Sequence, residues 1–144
     1  MKMNRKDKFP RRDFFTLIEV VVVIVILVML ASIAAPLYFR HIKTAKISTA
    51  KTQIKLLEQA LNDYKLDVGS YPSSADGLQA LLENVAQHEK WDGPYIKPNV
   101  PKDPWGNEYV YVYPADDNDF HISSYGADGT EGGEGENADI NSWE

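Results

Sequence analysis

The chain is 144 residues long, enough for one domain, carries a formal net charge of -6 and contains no cysteine, which excludes disulfides, thiolate metal centres and cysteine nucleophiles. The charge is unevenly spread: residues 1–55 hold eleven Lys and Arg against Asp7, Asp13 and Glu19, whereas residues 56–144 hold four against eighteen. An acidic C-terminal part offers no footprint for a phosphate backbone, so no nucleic-acid partner is expected.

Residues 1–14 form a short basic leader with Lys2, Arg5, Lys6, Lys8, Arg11 and Arg12. Every residue from Val20 to Leu30 is strongly apolar, and the run continues through Ala31, Ile33, Ala34, Ala35, Leu37 and Phe39 until Arg40 stops it. About twenty such residues suffice for a helix to cross about 30 Å of hydrocarbon. The basic flank keeps the N-terminus in the cytoplasm and sends the rest outward. A cleaved secretory signal fits poorly, because the apolar core is too long and the residues after it keep a helical pattern. A plain signal anchor fits the periodicity equally well. Glu19 sets this segment apart: an acid at mid-membrane costs about 2.5 to 3.5 kcal/mol and less near the interface, so an acid at the entry of the run calls for a partner.

Pro36 predicts a kink or local melting just before it. Beyond it, Ile47, Ala50, Ile54, Leu57, Leu61, Tyr64 and Val68 recur at steps of three and four, while Lys43, Lys46, Lys51, Lys55, Asp63 and Lys65 fall elsewhere. That is an amphipathic helix over 40–69, ended by Gly69. Its apolar stripe is expected to pack on the chain's own head, and the all-round apolar stretch upstream on neighbouring copies. Ser70 to Ser74 reads as a turn delivering a helix cap, with Leu78, Ala80, Leu81 and Leu82 on a short second helix reaching about Asn84. Trp91 to Gly106 is a proline-punctuated loop. Two strands follow: Tyr109, Tyr111 and Tyr113 alternate with valines, Phe120, Ile122 and Ser124 alternate with His121 and Ser123, and a polar turn from Pro114 to Asp119 joins them.

Two sets of residues carry a family resemblance. Phe15-Thr16-Leu17-Ile18-Glu19-Val20, between a basic leader and some twenty apolar residues, resembles the prepilin processing motif of type IV pilins and pseudopilins. Downstream, Tyr71-Pro72, Gly77-Leu78-Gln79-Ala80-Leu81, Pro101 to Tyr109, Gly126-Ala127-Asp128-Gly129 and Ala138-Asp139-Ile140 are similar, in order, to the major pseudopilin of bacterial type II secretion systems. The resemblance implies an α+β, pilin-like fold, with a long N-terminal helix packed on a small antiparallel sheet. It divides the chain into a leader (1–14), a transmembrane and assembly helix (15–39), an amphipathic continuation (40–69) and a periplasmic head (70–144). It also implies that a prepilin peptidase cuts between Phe14 and Phe15, that the new Phe15 amine is N-methylated, and that Glu19 neutralises that amine in an adjoining copy. The family places Gly before the cut; here Phe14 stands there, and a cut after Asp13 is the alternative.

The partners implied are further copies of the chain, minor pseudopilins, an inner-membrane assembly platform, the peptidase and inner-membrane lipid. The chain would sit in the inner membrane with its head in the periplasm and polymerise into a short filament that helps move folded proteins across the outer membrane. A surface-fibre type IV pilin and an anchored calcium module that never polymerises are the other classes. No enzyme is expected: His41, His88 and His121 are far apart, no phosphate loop or nucleophile elbow is present, and Asp116, Asp117 and Asp119 read as turn residues. The last twenty residues set Asp128, Glu131, Glu134, Glu136 and Asp139 among five glycines, a donor set that suits Ca²⁺ but lacks EF-hand spacing and is also the composition of a solvated tail. The resemblance implies a structural Ca²⁺ held by the Tyr125 carbonyl, Asp128 and Asp139. Some members carry one more Asp where this chain has Ala138, and Glu134 or Glu136 is the possible substitute.

Overall fold

The computed structural model describes residues 15–117 and 119–144. Its first element is α1, Leu17–Val68, 52 residues long. Thr16 starts it: the Thr16 carbonyl accepts from the Glu19 and Val20 N–H groups at 3.1 and 3.3 Å, and Thr16 Oγ1 accepts from Glu19 N–H at 3.3 Å. Donors that a helix start leaves without partners are thereby satisfied. Gly69, with φ of +98°, follows the helix, and its N–H donates to the Lys65 carbonyl at 2.8 Å. No melting occurs at Pro36, since the helix runs through it unbroken. Proline deletes one ladder bond, and the turns on both sides hold the helix across that gap.

The chain divides into two compact units after Phe39. In the first, the apolar residues from Leu17 to Phe39 are exposed, Leu17 by 83%. The second carries the core. Ala50, Ile54, Leu57, Ala60, Leu61 and Tyr64 are buried along α1, with Ile47 and Val68 partly buried at the ends of the same stripe. The predicted periodicity is thus the packed face, and each fully buried Leu contributes about 1.5 to 3 kcal/mol.

Opposite it lie three antiparallel strands, β1 (Val110–Val112), β2 (His121–Ser124) and β3 (Ile140–Asn141), in that order across the sheet. Tyr111 pairs with Ile122 and Val110 with Ser123, while Ser124 pairs with Ile140 and Ser123 with Asn141. Tyr109, Tyr111, Ile122 and Ile140 complete the core. Two expectations change. The sheet has a third strand beyond the two expected, because a two-residue strand with one apolar side chain gives no alternation to read. The second helix is a 3-10 helix confined to Gly77–Leu81, too short to reach Asn84, though Leu78, Ala80 and Leu81 are buried as their spacing suggests. Before it, Ser73 Oγ accepts from Asp76 N–H at 3.2 Å and donates to Asp76 Oδ2 at 2.6 Å, which closes the turn leading into the helix, while Asp76 at the N-cap makes no side-chain capping bond, so the anticipated cap is absent.

The proline-rich loop is held by two aromatic side chains and one backbone bond. Trp91 Nε1 donates to the Ala80 carbonyl at 3.0 Å, Tyr95 N–H to the Leu81 carbonyl at 2.8 Å, and the Tyr95 hydroxyl to Asp67 at 2.8 Å.

Candidate functional site

Glu19 lies in the first turn of α1, where the helix dipole favours an acid. It lines a shallow recess with Phe15, Val20, Val23 and Ile24, and the remaining surface of that recess is apolar. Among the described residues the one ion pair is Asp117 with His121 at 3.3 Å, so Glu19 has no charged partner among them. Phe15 is 79% exposed. The other processing residue, Phe14, and the leader lie outside the described residues.

The second set is assembled around a residue that sequence reading did not single out. Asp103 is buried, and its Oδ1 accepts from the Trp105 and Asn107 N–H groups at 3.0 and 2.8 Å while its Oδ2 accepts from the Ser124 hydroxyl at 2.7 Å. Asn107 in turn donates from Nδ2 to the Gly126 carbonyl at 2.8 Å. This relay fixes the exit of β2 and hence the loop beginning at Tyr125. The signal was present as an Asp followed four residues later by Asn in a Pro/Gly-rich stretch, a pattern that favours side-chain-to-backbone turns.

From Tyr125 the acidic loop folds back on itself. Ala127 N–H donates to the Glu136 carbonyl at 2.9 Å and Asn137 N–H to the Glu134 carbonyl at 3.2 Å. Gly126, at φ of +63°, has room for no side chain, because a Cβ would stand 2.6 Å from the Glu136 carbonyl oxygen. Asp128 Oδ1 accepts from Thr130 N–H at 3.2 Å, and Asp139 Oδ2 from Gly132 N–H at 2.9 Å. Asp139 Oδ1 is buried without any hydrogen-bond partner. A buried carboxylate oxygen left without a donor is costly, and a hard cation would satisfy it.

Tyr125 and Asp139 line one cavity of about 360 Å³ together with Glu131; Asp128, Glu134 and Glu136 are not part of its lining. Among the described residues no group of three or more His, Cys, Asp or Glu side chains converges at metal-binding distance. The oxygen donors at hand are carboxylates and main-chain carbonyls. Asp116, Asp117 and Asp119 belong to the turn, where Asp117 is held below the usual carboxylate range by the Asp119 N–H and by His121.

A helix that is apolar in its first half and amphipathic in its second, packed there on a small antiparallel sheet, with one acid at the start of the apolar run, defines a pilin-like subunit. Residues 38–143 match the family described as type II secretion system (T2SS), protein G. The chain is 45% identical over 139 residues to the type II secretion system core protein G of Vibrio cholerae, covering 94% of each chain. It is 42% identical over 135 residues to that of Pseudomonas aeruginosa, covering 90% of this chain and 94% of the other. The major pseudopilin from the type 2 secretion system of enterohaemorrhagic Escherichia coli superimposes with a TM-score of 0.61 at 32% identity, over 73% of this chain and 92% of that one. The chain belongs to the type II secretion protein G family. It is a structural subunit of a pseudopilus and not an enzyme.

Proposed function

We propose that the chain polymerises through the apolar half of α1 into a periplasmic filament that helps move folded proteins across the outer membrane. The head would lie in the periplasm and the Phe15 end at the inner membrane. Further copies, minor pseudopilins, the assembly platform, the prepilin peptidase and membrane lipid would be its partners. The observation that carries this reading is Glu19: a carboxylate in an exposed apolar stretch with no cation beside it among the described residues. Two opposite charges in a medium of low dielectric are tolerated when paired, and a Phe15 ammonium exposed by cleavage before that residue supplies the counter-ion on the next copy.

The orphaned Asp139 oxygen supports a structural Ca²⁺ held by Asp139, Asp128 and the Tyr125 carbonyl. Such an ion would tie the acidic loop to the end of β2 and offset the repulsion among its carboxylates.

Glu19→Gln and Glu19→Ala, made in the full chain, are expected to abolish crosslinked multimers in the membrane and to leave exported proteins in the periplasm, with the anchored monomer still present. Multimers and export at native levels in either variant would overturn the reading.

A further inference from the structure

Alternation along the strands divides the sheet between two faces. Tyr111, Ile122, Ser124 and Ile140 turn into the core, whereas His121, Ser123, Asn141 and Trp143 line the cavity on the other face. Ser123 pairs with Asn141, so the same register carried on by two residues sets Tyr125 level with Asp139, and both line that cavity. Three acidic residues share the lining, Asp116, Glu131 and Asp139. Asp116 belongs to the turn at the far end, where Val112 pairs with His121, four residues or about 13 Å of strand away from Tyr125. Glu131 and Asp139 are left together at the near end.

A backbone bond places them there. Asp139 Oδ2 accepts from Gly132 N–H at 2.9 Å, and that N–H belongs to the peptide group joining Glu131 to Gly132. Gly132 has a φ of +96°, which a side chain would resist, so the chain turns beside Asp139 directly after Glu131. Asp139 Oδ1 stays buried without a donor, and Glu131 takes part in no ion pair among the described residues. Asp128 is placed differently: its Oδ1 accepts from Thr130 N–H, and, like Glu134 and Glu136, it is not part of the cavity lining. Two carboxylates held side by side, one with a buried and unpaired oxygen, repel each other unless a cation stands between them.

We infer that Glu131 is a calcium ligand of this chain, its carboxylate joining Asp139 Oδ1 and the Tyr125 carbonyl at the near end of the cavity. The inference rests on the calcium reading and adds to its donors the one acid that the loop itself brings to Asp139. Ala138, the neighbour of Asp139 in sequence, offers no side-chain oxygen, and Glu131 supplies the missing negative charge from the other arm of the loop. Glu131 and Asp139 are two carboxylates, short of a converged group of three, but calcium takes its remaining oxygens from main-chain carbonyls and water.

The test uses the detergent-solubilised full chain titrated with calcium. Binding is read by melting temperature and by displacement of terbium, whose emission is sensitised by Tyr125 and Trp143 on the same cavity. Glu131→Gln is expected to weaken calcium binding by about tenfold or more. Its melting temperature in EGTA should equal that of the native chain, because Glu131 is exposed and unpaired among the described residues. Glu134→Gln and Glu136→Gln should leave calcium affinity nearly unchanged. Native affinity in Glu131→Gln overturns the inference, and so does equal weakening in all three variants, which would reduce Glu131 to bulk charge. Failure of the calcium reading looks different: the native chain itself would melt alike in calcium and in EGTA and bind no terbium, and the ligand would fall with the ion.

Discussion

Tyr109 and Tyr111 show how single residues join the sheet to the rest of the head. The Tyr109 hydroxyl donates to Gln53 on α1 at 2.6 Å, and the Tyr111 hydroxyl to the Pro72 carbonyl at 2.8 Å, so each ring packs in the core and each hydroxyl crosses to another element. Burial pushes both phenols up from the ordinary value of 10.0, assisted by the Asp103 charge at Tyr109 and by neighbouring tyrosines at Tyr111. A group whose folded pKa lies above its unfolded value stabilises the fold fully below the unfolded pKa and loses that contribution as pH rises past it. The detergent-solubilised chain should therefore lose melting temperature progressively above about pH 10. Tyr111→Phe should flatten that alkaline slope while costing about 1 kcal/mol at neutral pH for the lost hydrogen bond. Parallel slopes in the two proteins would contradict this assignment. The tyrosine alternation was readable as one face of a strand; that the hydroxyls reach Gln53 and Pro72, 56 and 39 residues away, was not, because no local pattern encodes such long-range contacts.

At the scale of elements, the acidic loop is held by backbone bonds and by the Asp103–Asn107–Ser124 relay, yet keeps one buried carboxylate oxygen without a donor. Calcium is accordingly expected to raise the melting temperature of the chain by several degrees. Asp139→Ala and Asp128→Ala should each remove most of that shift, whereas Glu134→Gln, outside the cavity that Asp139 lines, should keep it. Equal melting in calcium and in EGTA would count against the ion, and a shift that survives Asp139→Ala would move it elsewhere. The candidate ligands Tyr125, Asp128 and Asp139 were picked out by resemblance, while the cavity joins Tyr125 and Asp139 with Glu131 and leaves Asp128 out. Glycine-rich backbone admits many paths, so the order of residues in such a loop does not dictate which oxygens converge. The helix behaved differently. Its buried stripe followed the three-and-four spacing, with Ala60 added and Ile47 and Val68 only partly buried at its ends, because a helix converts sequence spacing directly into a face.

For the whole molecule, the proposed assembly depends on removal of the leader. As long as residues 1–14 remain, the Phe15 nitrogen is an amide without charge and Glu19 lacks the counter-ion proposed for it. Mass measurement and N-terminal sequencing of membrane-extracted chain should show a mature protein beginning at methylated Phe15. A start at Phe14 would shift Glu19 one residue from the amine, and a start at Met1 would remove the pairing altogether.

The sequence by itself determined the membrane-competent run, its isolated acid, the amphipathic stripe, the tyrosine strand and the family, since each is written in local spacing or in a contiguous motif. Only the tertiary structure decided that a third strand closes the sheet, that buried Asp103 anchors the loop, and that Asp139 keeps an unsatisfied oxygen. Those features depend on residues brought together from distant parts of the chain, and the burial that gives them their energetic weight exists only once the head has packed.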